Sequence, residues 1–130
     1  MMCTFIHYYC LDGDGAFLMH MGGAAITGSL QPKNLKHILL NNGVHDSVGS
    51  QPTVGFGADI EAIVRGCGYT FYEFSSGIKD LEMKMISLSR RVGSCFLQIL
   101  LNIDEGDVPG RPKEDLNSLK ELFMKNIIRP

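Results

Sequence analysis

Leu11-Asp12-Gly13-Asp14-Gly15-Ala16, answered downstream by Leu39-Leu40-Asn41-Asn42-Gly43-Val44-His45-Asp46-Ser47, is the pair of stretches whose reading decides the fold. The apolar run over residues 5–11 reads as a buried strand, and the Gly-Asp-Gly turn that ends it is followed by helix formers from Ala16. Glycines on both sides of Asp14 let a ligand approach the backbone closely, and free N–H groups at a helix start favour an anion such as a phosphate. The stretch over residues 35–40 reads as a second buried strand leading straight into Asn41 and Asn42.

A carboxylate and a phosphate repel each other unless a divalent cation sits between them. Mg²⁺ favours this mixture of one or two protein oxygens, phosphate oxygens and water. Asp14 and the asparagine amide oxygens are hard ligands of the right kind. Their place at the carboxyl ends of two neighbouring parallel strands follows the general rule for open α/β sheets.

Gly13-Asp14-Gly15, then residues 16–40, then Asn41-Asn42 resembles the diphosphate-binding signature of thiamine diphosphate enzymes. The segments LDGDGAFLMHMG and LKHILLNNGVHDSVGSQPTVG, with the late Gly110-Arg111-Pro112, resemble the C-terminal domain of the phosphonopyruvate and sulfopyruvate decarboxylase branch. The likeness runs from about Tyr8 to Met124. It implies thiamine diphosphate and Mg²⁺ as cofactors, Asp14, Asn42 and the backbone oxygen of Val44 as metal ligands, and Gly13, Gly15 and Ala16 as backbone contacts to the diphosphate. It also implies a small 2-keto acid substrate, phosphonopyruvate ahead of sulfopyruvate. Activation of the aminopyrimidine by a glutamate belongs, in this family, to a preceding pyrimidine-binding domain, usually across a subunit interface. The chain is therefore expected to lack that domain and the helix before the first strand, to work as a homo- or hetero-oligomer, and to be inactive alone. None of Glu61, Glu73 or Glu82 is a candidate for the activating glutamate.

With 130 residues, the chain has the length of one domain. A formal charge of −2 gives no reason to invoke nucleic acid or an anionic membrane surface. No stretch has the run of apolar residues a membrane helix needs, and the start lacks the marks of a signal peptide, so a cytoplasmic location is expected. Cys3, Cys10, Cys67 and Cys95 are too scattered for metal knuckles and read as reduced core thiols.

The remaining pattern alternates helix and strand: a helix over residues 16–27 with Gly22, Gly23, Ala24 and Ala25 as a small face for tight packing, an irregular loop over 43–57, a helix over 58–66, a strand over 69–74, a helix over 78–92 with Leu81, Met85, Leu88 and Val92 inward, a strand over 94–103, and a last helix over 114–126 burying Leu116, Leu119, Leu122 and Phe123. This order predicts an α/β fold, an open and mainly parallel sheet with helices on both faces. In the loop, His45, Asp46 and Ser47 are consecutive and do not make a triad by that alone. His45 and Ser47 are candidates for contact with the substrate's acid group, against the plainer reading of a loop held by its own polar side chains. Gln51 and Thr53 are weaker candidates, and His7, His20 and His37 read as structural. A non-catalytic remnant is the rival the intact ligand set argues against, and a generic nucleotide module is disfavoured by the lack of a dinucleotide fingerprint or phosphate-loop lysine.

Overall fold

A computed structural model describes residues 7–102 and 113–127. In chain order it has β1 (Tyr8–Gly13), α1 (Asp14–Met19), α2 (Met21–Leu30), β2 (Leu35–Asn41), β3 (Val44–His45), a 3-10 turn (Asp46–Val48), β4 (Gln51–Pro52), α3 (Ile60–Cys67), β5 (Phe71–Ser75), α4 (Ile78–Arg90), β6 (Cys95–Leu100) and α5 (Leu116–Ile127). The main sheet has the order β1-β2-β6-β5, and every pairing in it is parallel. Parallel strands must return through crossovers, and the helices supply them on both faces. Phe17, Ala24, Ile60 and Val64 from α1, α2 and α3 meet Leu39 and Phe96 on one side; Leu88 of α4, helped by Leu81 and Met85, meets Ile38, Leu97 and Ile99 on the other. The fold is the α/β arrangement that the sequence predicts.

Register is what places the site. Gly13 of β1 stands beside Leu40 of β2, so the turn after Gly13 and the asparagines after Leu40 leave the sheet side by side at its carboxyl edge.

Several expectations need correcting. The first strand is not covered on both faces: it is an edge strand, and Tyr8, Tyr9 and Leu11 are exposed, Leu11 at 67%. It also runs on through Gly13, while Phe5 and Ile6 lie outside the described residues. The single helix expected over 16–27 is two helices broken at His20, whose φ of −129° and ψ of 34° are not helical, and the second continues to Leu30. Val92 is exposed because α4 stops at Arg90, which takes Val92 off the periodic face. Leu116, Leu122 and Phe123 are exposed, and α5 carries no buried residue. Of the three described cysteines only Cys95 is buried; Cys10 is exposed on the edge strand and Cys67 is partly buried, while Cys3 lies outside the described residues, as does Gly110-Arg111-Pro112.

The small-residue packing is real at Ala24, which is buried in the core, but Gly22 and Ala25 are exposed and the closest approach lies further on, at Gly28. A Cβ on Gly22 would meet nothing within 4 Å, whereas one on Gly28 would run into the backbone carbonyl of Cys67. Gln31, in the left-handed conformation that ends α2, ties the junction by donating from Nε2 to Gly28 O at 2.8 Å and to Gly68 O. Gly28→Ala therefore has to push α2 off α3 and should cost about 1–3 kcal/mol, while Gly22→Ala, on an open helix surface, should gain roughly 0.5–1 kcal/mol. Urea unfolding midpoints of the two variants check the opposite signs.

His37 is the one imidazole within the core. Its ring lies 4.6 Å from that of Phe96 and 5.9 Å from that of Phe17, Nδ1 is 2.9 Å from the Tyr69 hydroxyl, and Nε2 is 3.5 Å from Asp12 Oδ2. Burial pushes its pKa below the ordinary 6.5, outweighing the opposite pull of Asp12. Folding then favours the neutral ring, and this stability is complete above 6.5 and lost as pH falls below it towards the folded-state value. The drop in unfolding midpoint between about pH 7.5 and about pH 5.5 should be shallower in His37→Gln than in the wild type.

Candidate functional site

The turn at Gly13 sends the chain from the end of β1 directly into α1, so Asp14 is the first helical residue and its side chain is only 1% exposed. No side chain caps this helix start. The first N–H groups of a helix have no partner within it, so those of Gly15 and Ala16 are free to meet an anion.

Asn41 and Asn42 leave β2 with different duties. Asn41 is fully buried and spent on the fold: its Nδ2 donates to Gly55 O at 2.8 Å, and its Oδ1 accepts from Gly43 N at 3.2 Å. Asn42 is half-buried, with Oδ1 accepting from Val44 N at 3.2 Å and Nδ2 donating to Asp46 Oδ2 at 2.7 Å.

The segment expected to be irregular contains a small antiparallel hairpin, β3 on β4, closed by Thr53 N donating to Gly43 O at 2.8 Å. Gly43 takes a φ of +71° and lies against the Phe56 ring, a place where only glycine fits without strain. The hairpin folds back over α1. A Cβ on Gly15 would strike the His45 imidazole, and one on Gly55 would strike Asp14 Oδ2 and Asn41 Oδ1. Thr53 Oγ1 donates to Asp14 Oδ2 and accepts from Gly55 N at 3.0 Å.

These elements enclose a cleft of about 350 Å³. Gly13, Asp14, Gly15, Ala16, Asn42, Val44, His45 and Ser47 all line it, whereas Asn41 and Thr53 do not. Asp46 also lines it, and Met19, Leu40 and Leu101 supply an apolar part that sequence reasoning did not assign. Gln51 is exposed and does not line it. Among the described residues no group of three or more His, Cys, Asp or Glu side chains is arranged to hold a metal ion. No helix of the described residues is long and apolar enough to cross a membrane.

A family model described as the thiamine pyrophosphate enzyme C-terminal TPP-binding domain matches residues 5–99. The chain belongs to this family. As a TPP-binding domain (thiamine pyrophosphate is thiamine diphosphate) it is similar to the phosphonopyruvate decarboxylase of Streptomyces viridochromogenes, 35% identical over 120 residues that make up 92% of this chain and 30% of that protein. The phosphonopyruvate decarboxylase of Streptomyces hygroscopicus is 30% identical over the same shares. Sulfopyruvate decarboxylase subunit beta of Methanothermobacter thermautotrophicus is 27% identical over 117 residues, 90% of this chain and 60% of that subunit. This TPP-binding domain thus spans about 30% of the length of the phosphonopyruvate decarboxylases it matches.

Gly55 is the backing of the site, since its missing side chain leaves room for the Asp14 and Asn41 oxygens together. Gly55→Ala should destabilise the domain by about 1–3 kcal/mol, because both oxygens are buried and pinned. Gly57→Ala, which meets only Val54 O at 3.7 Å, should change little. Chemical denaturation of the two variants distinguishes them.

Proposed function

We propose that this chain is the diphosphate- and Mg²⁺-binding part of a thiamine diphosphate-dependent 2-keto acid decarboxylase, acting on phosphonopyruvate and completed by a pyrimidine-binding domain or subunit. The observation that carries this reading is the convergence of the Asp14 carboxylate, the Asn42 amide and the Val44 backbone on one cleft at the start of α1. The donor set fits the cofactor pair. One carboxylate with neutral oxygens suits Mg²⁺, which keeps places for water and phosphate oxygens. Nothing stands within 4 Å of where a Gly13 side chain would begin, so the peptide at the cleft mouth is open to a diphosphate.

Thiamine diphosphate, when bound, supplies the electron sink that decarboxylation of a 2-keto acid needs. The chain's own residues anchor and orient. Asp14, Asn42 and the Val44 carbonyl would hold the cation, and the backbone of Gly13, Gly15 and Ala16 would hold the diphosphate against the helix start. His45 and Ser47 line the cleft on its hairpin side, which supports a role for them in meeting the anionic acid group of the substrate. The phosphonate substrate is favoured by the two Streptomyces relatives, each aligned with 92% of this chain. A second reading, a sulfopyruvate decarboxylase-type subunit, is favoured by the Methanothermobacter subunit, a separate chain of which this one covers 60%. Comparing rates on the two substrates with the pyrimidine-binding partner added separates them.

Titration calorimetry with thiamine diphosphate should give binding that requires Mg²⁺ and is abolished in Asp14→Ala, with no turnover by the chain alone. Equal binding by Asp14→Ala, or binding indifferent to Mg²⁺, would overturn the assignment of the site.

A further inference from the structure

An asparagine amide has an oxygen end and a nitrogen end of nearly the same shape, and only hydrogen-bond partners decide which faces a ligand. For Asn42 that choice decides whether the cleft is offered an acceptor or a donor, and a cation tolerates only the acceptor. Two partners settle it: Val44 N, which can only donate and reaches Oδ1 at 3.2 Å, and Asp46, which holds the nitrogen end. Its carboxylate can only accept, so Asn42 must turn Nδ2 towards it, at 2.7 Å, and Oδ1 away. Asp46 is itself held, because its other oxygen accepts from Ser50 Oγ at 3.1 Å.

Asp14 faces a parallel choice between two oxygens. Thr53 Oγ1 already accepts from Gly55 N, so its proton is free for Asp14 Oδ2. Gly55 closes in on that same oxygen. Committing Oδ2 to Thr53 leaves Oδ1 as the carboxylate oxygen available to a cation.

Resting on the proposed function, we infer that Thr53 and Asp46 are positioning residues: from the end of the hairpin and from the turn between its strands they set which oxygen of Asp14 and which end of the Asn42 amide a cation meets. Neither needs to touch the cation. Partners that orient ligands from outside the coordination shell typically matter roughly 10- to 100-fold in metal affinity.

The test is calorimetric titration of Mg²⁺ at a saturating concentration of thiamine diphosphate, on the wild type, Thr53→Val, Thr53→Ser and Asp46→Asn, with the pyrimidine-binding partner present in every sample. Circular dichroism and thermal melting accompany each titration. Thr53→Val keeps the shape and removes the proton donor; Asp46→Asn keeps the shape and permits the Asn42 amide to turn over. Both should weaken Mg²⁺ binding by roughly 10- to 100-fold, and Thr53→Ser should restore the wild-type affinity. Asp46 is exposed, so its variant keeps the test decisive if Thr53→Val does not fold. Wild-type affinity in Asp46→Asn or in a folded Thr53→Val overturns the inference, as does a Thr53→Ser as weak as Thr53→Val. A wild type that shows no Mg²⁺-dependent binding overturns the proposed function and this inference with it, whereas variants matching a wild type that binds overturn this inference alone.

Discussion

A carboxylate buried at the first residue of a helix is the constraint from which the rest of this site follows. Asp14 loses nearly all contact with water, and an anion so placed has to be repaid by hydrogen bonds and favourable dipoles. The helix start supplies the dipole and Thr53 supplies the hydrogen bond. For Thr53 to arrive there, the chain after β2 must double back as a hairpin, which explains the positive φ at Gly43, the absence of a side chain at Gly55 and the capture of the Asn41 amide by Gly55 O. Hairpin, glycines and buried asparagine are one solution to one electrostatic problem.

The sheet contributes position more than chemistry. Because β1 and β2 are adjacent, parallel and in register, their ends deliver Asp14 and Asn42 to the same place without any loop having to span the sheet. The core on the α4 side holds a fully buried Lys36, whose Nζ donates to Arg91 O at 2.5 Å. The core beneath α1, α2 and α3 contains a buried polar pair, His37 with Tyr69, whose phenol is pushed up to about 12 by burial and so keeps its proton.

Much of this was legible in the sequence because the signals were local. Gly13-Asp14-Gly15 after an apolar run gave the strand, turn and helix start, and residues 35–40 gave the second strand through Leu35, Ile38, Leu39 and Leu40, although Lys36 and His37 interrupt the apolar pattern. What was not legible depends on neighbours. Tyr8, Tyr9 and Leu11 look like core residues in any one-dimensional reading, and only the strand order reveals β1 as an edge. The break at His20 carries no proline. The stripe on α5 has helical spacing, but spacing does not say what the helix lies against. Within the site, the division of labour between Asn41 and Asn42, and the parts played by Thr53 and Asp46, arise from a fold-back whose partners are up to 39 residues apart. No local pattern encodes such pairs.

The contact between the His45 imidazole and the Gly15 peptide has a consequence for how this domain can vary. The space above Gly15 is filled by a side chain belonging to another element, so the two positions share one volume. A residue with a side chain at 15 would make a better helix, yet that gain is open only to a chain in which the ring at 45 is lost or turned aside. Substitutions at the two sites are therefore epistatic, non-additive in the manner of residues in direct contact. A chain that keeps histidine at 45 can accept a side chain at 15 only by turning the ring aside, independently of anything the glycine does for a bound ligand.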